Sequence, residues 1–218
     1  MAEQARINWH YSGKEDLGAG TGAYIEEKAL GYSGCVALVA LLIYLLVTGY
    51  VQWNGLQITI AFLLAFDIGG GLVSNSLNSC KRFYHTPLLS TESKRAAIVK
   101  NKFLFSSFHI HPLVVGLLYG PMDITYGLIW YSLFMISVFI VSITPLYLKR
   151  PVSILIILFV ILIQLYAIPP IVGFEWLIPL LFLKVINGHL VREEPYRKVT
   201  QKKGNPCTGG VHDEHNRS

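Results

Sequence analysis

Residues 33–77 read SGCVALVALLIYLLVTGYVQWNGLQITIAFLLAFDIGGGLVSNSL. Two apolar runs, about 33–52 and 56–77, are separated only by Trp53-Asn54-Gly55. Each is long enough to cross a hydrocarbon layer of ~30 Å at 1.5 Å per residue. Asp67 is the sole charge in either run. A connection this short predicts an antiparallel pair of helices.

The pattern continues outward from this hairpin. Further apolar runs cover about 103–120, 124–148, 152–168 and 171–190. In lipid every backbone N–H and C=O needs a partner within the chain, so spans of this length are helices. The alternating segments of about ten residues that build a membrane β-barrel are absent. The expected fold class is therefore all-α: a polytopic integral membrane protein, a six-transmembrane-helix bundle. Pro169, Pro170 and Pro179 interrupt the last two spans.

Orientation follows from Lys and Arg. Lys81, Arg82, Lys94, Arg95, Lys100 and Lys102 lie between spans two and three, and Lys149 and Arg150 between four and five. Arg6, Lys14 and Lys28 precede the first span, and Arg192, Arg197, Lys198, Lys202, Lys203 and Arg217 follow the last. The remaining three connections carry none. The positive-inside rule then puts both termini in the cytoplasm. Three regions result: a cytoplasmic segment 1–32, a membrane domain 33–190, and a basic tail 191–218 expected to be disordered. A short interfacial helix is expected over 21–31, with Tyr24, Ile25 and Leu30 as its apolar contacts.

Composition agrees. The chain is 53% hydrophobic and 14% charged, against about 25% charge in ordinary soluble domains. The net charge of +5 sits in loops beside apolar spans and forms no stripe on a folded module. That excludes nucleic acid as the expected partner and points to membrane lipids, with anionic headgroups at the basic cytoplasmic loops. The three cysteines, Cys35, Cys80 and Cys207, have no metal-site spacing and imply no disulfide framework. The start Met-Ala-Glu-Gln lacks a basic region followed by an apolar one, so no cleavable signal is expected.

Function has to be sought in the polar residues that a bilayer disfavours. An ionisable group inside a span costs at least about 2.5 kcal/mol on insertion scales and calls for a reason. Asp67, His109, His111 and Lys184 qualify, and His85 and His189 lie at the inner boundary. At helical spacing Asp67, Gly70, Gly71, Ser74 and Asn78 share one face of the second span, where small residues permit close approach. In His109-Ile110-His111-Pro112 the two imidazoles point nearly opposite ways on an ideal helix. Pro112 cannot donate to the carbonyl of Phe108 and disfavours helix at His111, so a break there can turn both rings inward. Lys184 and Asn187 share a face of the sixth span.

If spans two, three and six are neighbours, these residues converge on a cavity in the inner half. The leading expectation is a membrane-embedded, metal-dependent enzyme, a hydrolase in type, acting on a lipid or apolar substrate from the cytoplasmic leaflet. Asp67, His109 and His111 would be catalytic, and Ser74, Asn78, Lys184 and Asn187 would contact substrate. Asp67, His109, His111, His189 and His85 would supply ligands for zinc or non-haem iron, since neutral imidazole with carboxylate suits either. Two alternatives belong to other classes. In one, Asp67, His109 and Lys184 form the relay of a small ion- or proton-coupled transporter or channel. In the other, the chain is a non-catalytic accessory protein whose polar groups only join helices, with Asp67 and Lys184 as an ion pair. His212-Asp213-Glu214-His215 is a further His and carboxylate cluster, in the tail. The Phe105 to His109 spacing matches one element of membrane-embedded CAAX-type proteases, but no glutamate pair precedes it at the matching spacing.

Overall fold

The computed structural model describes residues 5–121 and 123–198. The chain order is β1 (Ala5–Ile7), α1 (Ile25–Val47), α2 (Gly55–Ser74), α3 (Asn78–His85), α4 (Lys94–Lys100), α5 (Lys102–Ser107), α6 (His111–Leu118), α7 (Ile124–Ile143), a single 3-10 turn (Leu146–Leu148), α8 (Lys149–Tyr166), α9 (Leu177–Phe182) running into a π-helix (Leu183–His189), and β2 (Tyr196–Lys198). Four helices are long and apolar enough to cross a membrane: Ile25–Val47, Gly55–Ser74, Ile124–Ile143 and Leu146–Tyr166. Two shorter apolar helical segments accompany them, Lys102–Leu118 and Leu177–His189.

The first two helices form the hairpin that the opening stretch predicts. Asn54 caps α2: its side chain accepts from the Gln57 N–H at 3.0 Å while Gln57 Oε1 accepts from the Asn54 N–H at 2.9 Å, which satisfies two otherwise orphaned donors. Gly34 and Gly69 let the backbones of α1 and α2 touch, since a Cβ on either would meet the other's backbone. Close approach through small residues is how membrane helices gain packing without a hydrophobic driving force. The core runs from Leu38, Leu42 and Leu45 through Leu64 and Ile68 to Trp130, Phe134, Phe174 and Phe182. The many large apolar side chains left exposed along α1, α7 and α8 form the face a bilayer would cover.

Several boundaries differ from the sequence expectation: the first span, expected over 33–52, is the helix Ile25–Val47, and the fourth, expected over 124–148, stops as a helix at Ile143. Residues 25–31 are the first two turns of α1, so no separate interfacial helix exists there. The expected third span is split: α5 stops at Ser107 and α6 restarts at His111, with Pro112 in its first turn, because proline is tolerated there and nowhere deeper in a helix. In the sixth, residues 171–176 form no helix and α9 begins only at Leu177. The tail is not wholly irregular, because β2 pairs antiparallel with β1 in the register Ala5↔Lys198, Arg6↔Arg197, Ile7↔Tyr196. The rest of the expected disordered tail, residues 199–218 with Cys207 and the His212–His215 cluster, lies outside the described residues.

The two ends of the bundle differ in chemistry. At one end Trp53 stacks on Phe174 with ring centroids 5.1 Å apart and meets Tyr119 edge-on at 5.2 Å. At the other the basic segments gather. Lys81 Nζ donates to the carbonyls of Gly188 at 2.6 Å and Val191 at 2.8 Å, satisfying acceptors at the end of the π-helix. Burial pulls the Lys81 pKa down against the raising effect of nearby Glu193. Ser79 Oγ donates to the Ala19 carbonyl at 2.5 Å. Lys100 pairs with Glu92 at 2.7 Å and donates to Tyr11 Oη at 2.7 Å. Arg150 pairs with Glu193. The N-terminal segment, the 78–102 connection, the start of α8 and residues 188–198 are thus joined at the same end.

Candidate functional site

Asp67 sits on α2, facing the π-helix and the start of α6. Its Oδ2 accepts from Lys184 Nζ at 2.5 Å and from His111 Nε2 at 2.8 Å. A carboxylate only accepts, so His111 carries its proton on Nε2. Lys184 is almost wholly covered, at 3% side-chain exposure, whereas Asp67 is at 51%. The pair is therefore asymmetric: a sealed ammonium and a carboxylate with one oxygen turned to open space.

Local sequence explains how Lys184 reaches this place. Gly71 has no side chain, and a Cβ there would collide with the Lys184 stem. Asn75, one turn further along the same stripe, donates from Nδ2 to the Lys184 carbonyl at 2.9 Å and accepts from Tyr84 Oη at 2.8 Å. The widened π turn carries both Lys184 and Gly188, and a Cβ at Gly188 would press on Asn75. Single π turns of this kind are frequent at functional sites because they re-aim side chains out of the regular 3.6-residue stripe.

His109 occupies the break between α5 and α6. Its Nδ1 donates to the Phe105 carbonyl at 2.9 Å; the acceptor is a carbonyl, so the proton is on Nδ1 and Nε2 keeps a lone pair. The ring lies 5.4 Å from that of His111 and 4.7 Å from that of Phe105, centroid to centroid. His109 and His111 are thus brought together by the helix break that Pro112 imposes.

A cavity of about 700 Å³ opens beside these groups. Asp67, His109, His111, Lys184 and Ser74 line it, with aromatic walls from Phe66, Phe105 and Phe108. Its far rim is made by Lys28 and Tyr32 of α1 and by Leu17–Ala19. The cavity lies between the α1–α2 hairpin and the α5–α6 pair, with Lys184 on its floor.

The remaining expected site residues do not line this cavity. Asn78 Oδ1 accepts from the Tyr196 N–H at 2.9 Å, and Asn187 Oδ1 accepts from Ser153 Oγ at 2.9 Å; they fasten β2 and α8 instead of contacting substrate. His189 stacks on Phe105 at 4.0 Å and lies 4.3 Å from Tyr84. His85 is in α3, where desolvation, reinforced by Lys81, Lys102, Arg192 and Lys149, lowers its pKa to about 3. His85 Nε2, His189 Nδ1 and His111 Nδ1 are buried without a partner. Among the described residues no three His, Cys, Asp or Glu side chains stand close enough to hold a metal ion. Asp67 Oδ2 already meets an ammonium and an imidazole N–H. The expected ligands Asp67, His109, His111, His189 and His85 are therefore not gathered at one point among the described residues.

Sequence reasoning missed Asn75, Tyr84 and Phe105. Asn75 lies inside the polar run already singled out, and its i+4 relation to Gly71 was the available signal. Tyr84 carries no such signal, because an aromatic near a span end reads as an interfacial anchor, and Phe105 stood out only through its spacing to His109. No protein-family model, curated protein or solved structure matches this chain.

Proposed function

We propose that the chain crosses the membrane six times with both termini in the cytoplasm, and that the cavity at Asp67 and His109 is the site of a membrane-embedded enzyme. Its substrate is a lipid or other apolar molecule drawn from the cytoplasmic leaflet. The pairing of β1 with β2 supports the topology, because it requires the segments before the first helix and after the last to lie on one side. The gathering of Lys81, Lys100 and Arg150 with those segments agrees with the positive-inside rule.

The observation that carries the enzymatic reading is the state of two polar atoms inside an apolar cavity. His109 presents a lone pair on Nε2, fixed by its Nδ1 hydrogen bond to Phe105. Asp67, half-exposed there, keeps an oxygen free of both Lys184 and His111. An ion pair that only joins helices needs neither an open carboxylate oxygen nor a tautomer-fixed imidazole beside it. An imidazole with a fixed tautomer beside a free acceptor has the makings of a general base and a group that orients what it acts on. Lys184 and His111 hold Asp67 in place and keep the cluster near neutral. The reading needs no metal.

The relay reading has less support. The half of the core beyond Asp67 is packed with Leu42, Leu45, Val115 and Phe174, and Tyr119 beside them commits its hydroxyl to the Gln57 carbonyl at 2.5 Å, so they offer no continuous relay toward the other face. The test is incubation of the reconstituted protein with a total membrane-lipid extract, followed by mass spectrometry. A product that forms with wild type and is absent with His109→Gln supports an enzyme. Indistinguishable lipid profiles, with both proteins folded, would overturn it in favour of the accessory reading.

A further inference from the structure

We infer that the cavity's ligand presents an uncharged hydrogen-bond donor, a hydroxyl on a single-chain lipid, to Asp67 and His109. This rests on the reading of the cavity as a substrate site and adds the chemical class of the substrate.

The polar atoms deep in the cavity are sorted by sign. Those left open are acceptors: the second oxygen of Asp67 and Nε2 of His109. Apart from the Ser74 hydroxyl, the donors near these two acceptors are already used. Lys184 Nζ and His111 Nε2 both point at Asp67 Oδ2. Tyr84 Oη is spent on Asn75, and Asn75 Nδ2 on the Lys184 carbonyl. Lys28, at the rim, is held by Asp16 at 2.8 Å. A ligand group that only accepts, such as a phosphate or carboxylate, finds a carboxylate oxygen and a lone pair facing it. A hydroxyl can give its proton to the free Asp67 oxygen or to His109 Nε2, and it carries no charge for either to repel.

Charge and depth narrow the class further. Asp67 is about two helical turns, roughly 10 Å, from the inner end of α2 at Ser74. An ordinary phospholipid headgroup lies in the interface and would have to shed its hydration to descend that far, which is prohibitive for an ion. A hydroxyl can descend, because it is uncharged and its proton regains an acceptor there. An alkylammonium would gain the Asp67 carboxylate but stand against the sealed ammonium of Lys184, which already balances that charge. Size points the same way. A volume of about 700 Å³ lies within the range of roughly 300–1,000 Å³ that accepts a compact ligand, and the aromatic walls of Phe66 and Phe108 suit one chain leaving toward the lipid. Long-chain alcohols and monoacylglycerols belong to this class.

The test uses three photoactivatable probes with one and the same diazirine-bearing alkyl tail, ending in a primary alcohol, a carboxylic acid or a primary amine. Each is crosslinked to the full-length protein in nanodiscs, and the labelled residues are mapped by mass spectrometry. The shared tail cancels nonspecific partitioning. The alcohol is expected to label Phe66, Phe108 or Tyr32 at least about tenfold more than the acid or amine. His109→Phe, which removes the acceptor, should erase that preference. His109→Gln, which restores an acceptor oxygen, should keep most of it. Equal labelling by the three probes, preference for the acid or amine, or alcohol labelling confined to outward residues such as Ile43 and Leu158 would overturn the inference. If His109→Phe does not fold, the ranking of the three probes on wild type decides alone. Alcohol preference without lipid turnover would retain this ligand class and remove the enzyme. Turnover of an acidic or amine lipid would do the reverse.

Discussion

Replacing Asp67 by Asn and Lys184 by Met, singly and together, tests whether the pair has the unequal energetics its burial implies. Lys184 is at 3% side-chain exposure, with its ammonium bonded only to Asp67. In Asp67→Asn that ammonium stays sealed and loses its counter-charge, while the amide oxygen still accepts one bond. Stranding one member of a buried ion pair costs about 3–5 kcal/mol, and the retained bond puts this variant near the low end, about 3 kcal/mol. In Lys184→Met the carboxylate keeps the His111 N–H at 2.8 Å and faces the cavity at 51% exposure, so water reaches it. The cost there should be about 1–2 kcal/mol, that of a lost hydrogen bond with a charged partner. In the double variant the Asn oxygen takes the His111 proton, Met fills the lysine stem's channel beside Gly71, and no charge is left. It should unfold within about 1 kcal/mol of wild type, a coupling of roughly 3–5 kcal/mol. The assay is reversible unfolding in mixed micelles, followed by Trp fluorescence and far-ultraviolet circular dichroism. Equal costs for the two single variants, or a double variant as unstable as their sum, would refute the reasoning that burial of the ammonium dominates.

Other expectations follow from separate features. Gly34→Ala and Gly69→Ala each insert a methyl where the backbones of α1 and α2 meet; each should destabilise the fold by about 1–3 kcal/mol, read in the same unfolding assay. His85, held in the fold near pKa 3 against an ordinary 6.5 mainly by desolvation, binds fewer protons folded than unfolded. Stability should therefore fall as pH drops from about 6.5 toward 3, and His85→Leu should flatten that acid limb in pH-dependent melts; an unchanged limb would show that the imidazole stays hydrated. Burial pushes the Cys80 thiol up to about 12, so with Cys35 and Cys207 replaced by Ala, Cys80 should resist maleimide at pH 8 until the protein is denatured, since the thiolate is the reactive form. The strand register pairs Arg6 with Arg197. Arg6→Cys with Arg197→Cys should form an intramolecular crosslink under mild oxidant, and its absence would speak against both termini sharing one face.

The amino-acid sequence on its own determined that this chain carries helices long and apolar enough to cross a membrane, because apolar length is additive along the chain and needs no partner to be read. Helix follows from the same argument, since each span must satisfy its own backbone. The identity of the costly polar residues was equally legible: Asp67, His109, His111 and Lys184 stand out against their surroundings one at a time. The Pro112 break was also local, a steric consequence of one ring. What joined these residues was not local. Which helices are neighbours depends on packing, and it was the glycine contact of Gly34 with Gly69, the gap that Gly71 leaves for the Lys184 stem, and the π turn after Phe182 that brought Lys184 to Asp67. A π turn shifts register by one residue and leaves no mark in apolar spacing. The same shift explains why Asn187, expected on the Lys184 face, turns to Ser153, and why His189 packs on Phe105. The pairing of β1 with β2 was invisible for a similar reason. Three residues at each end carry too little pattern to find each other, and only the folded bundle brings them into register.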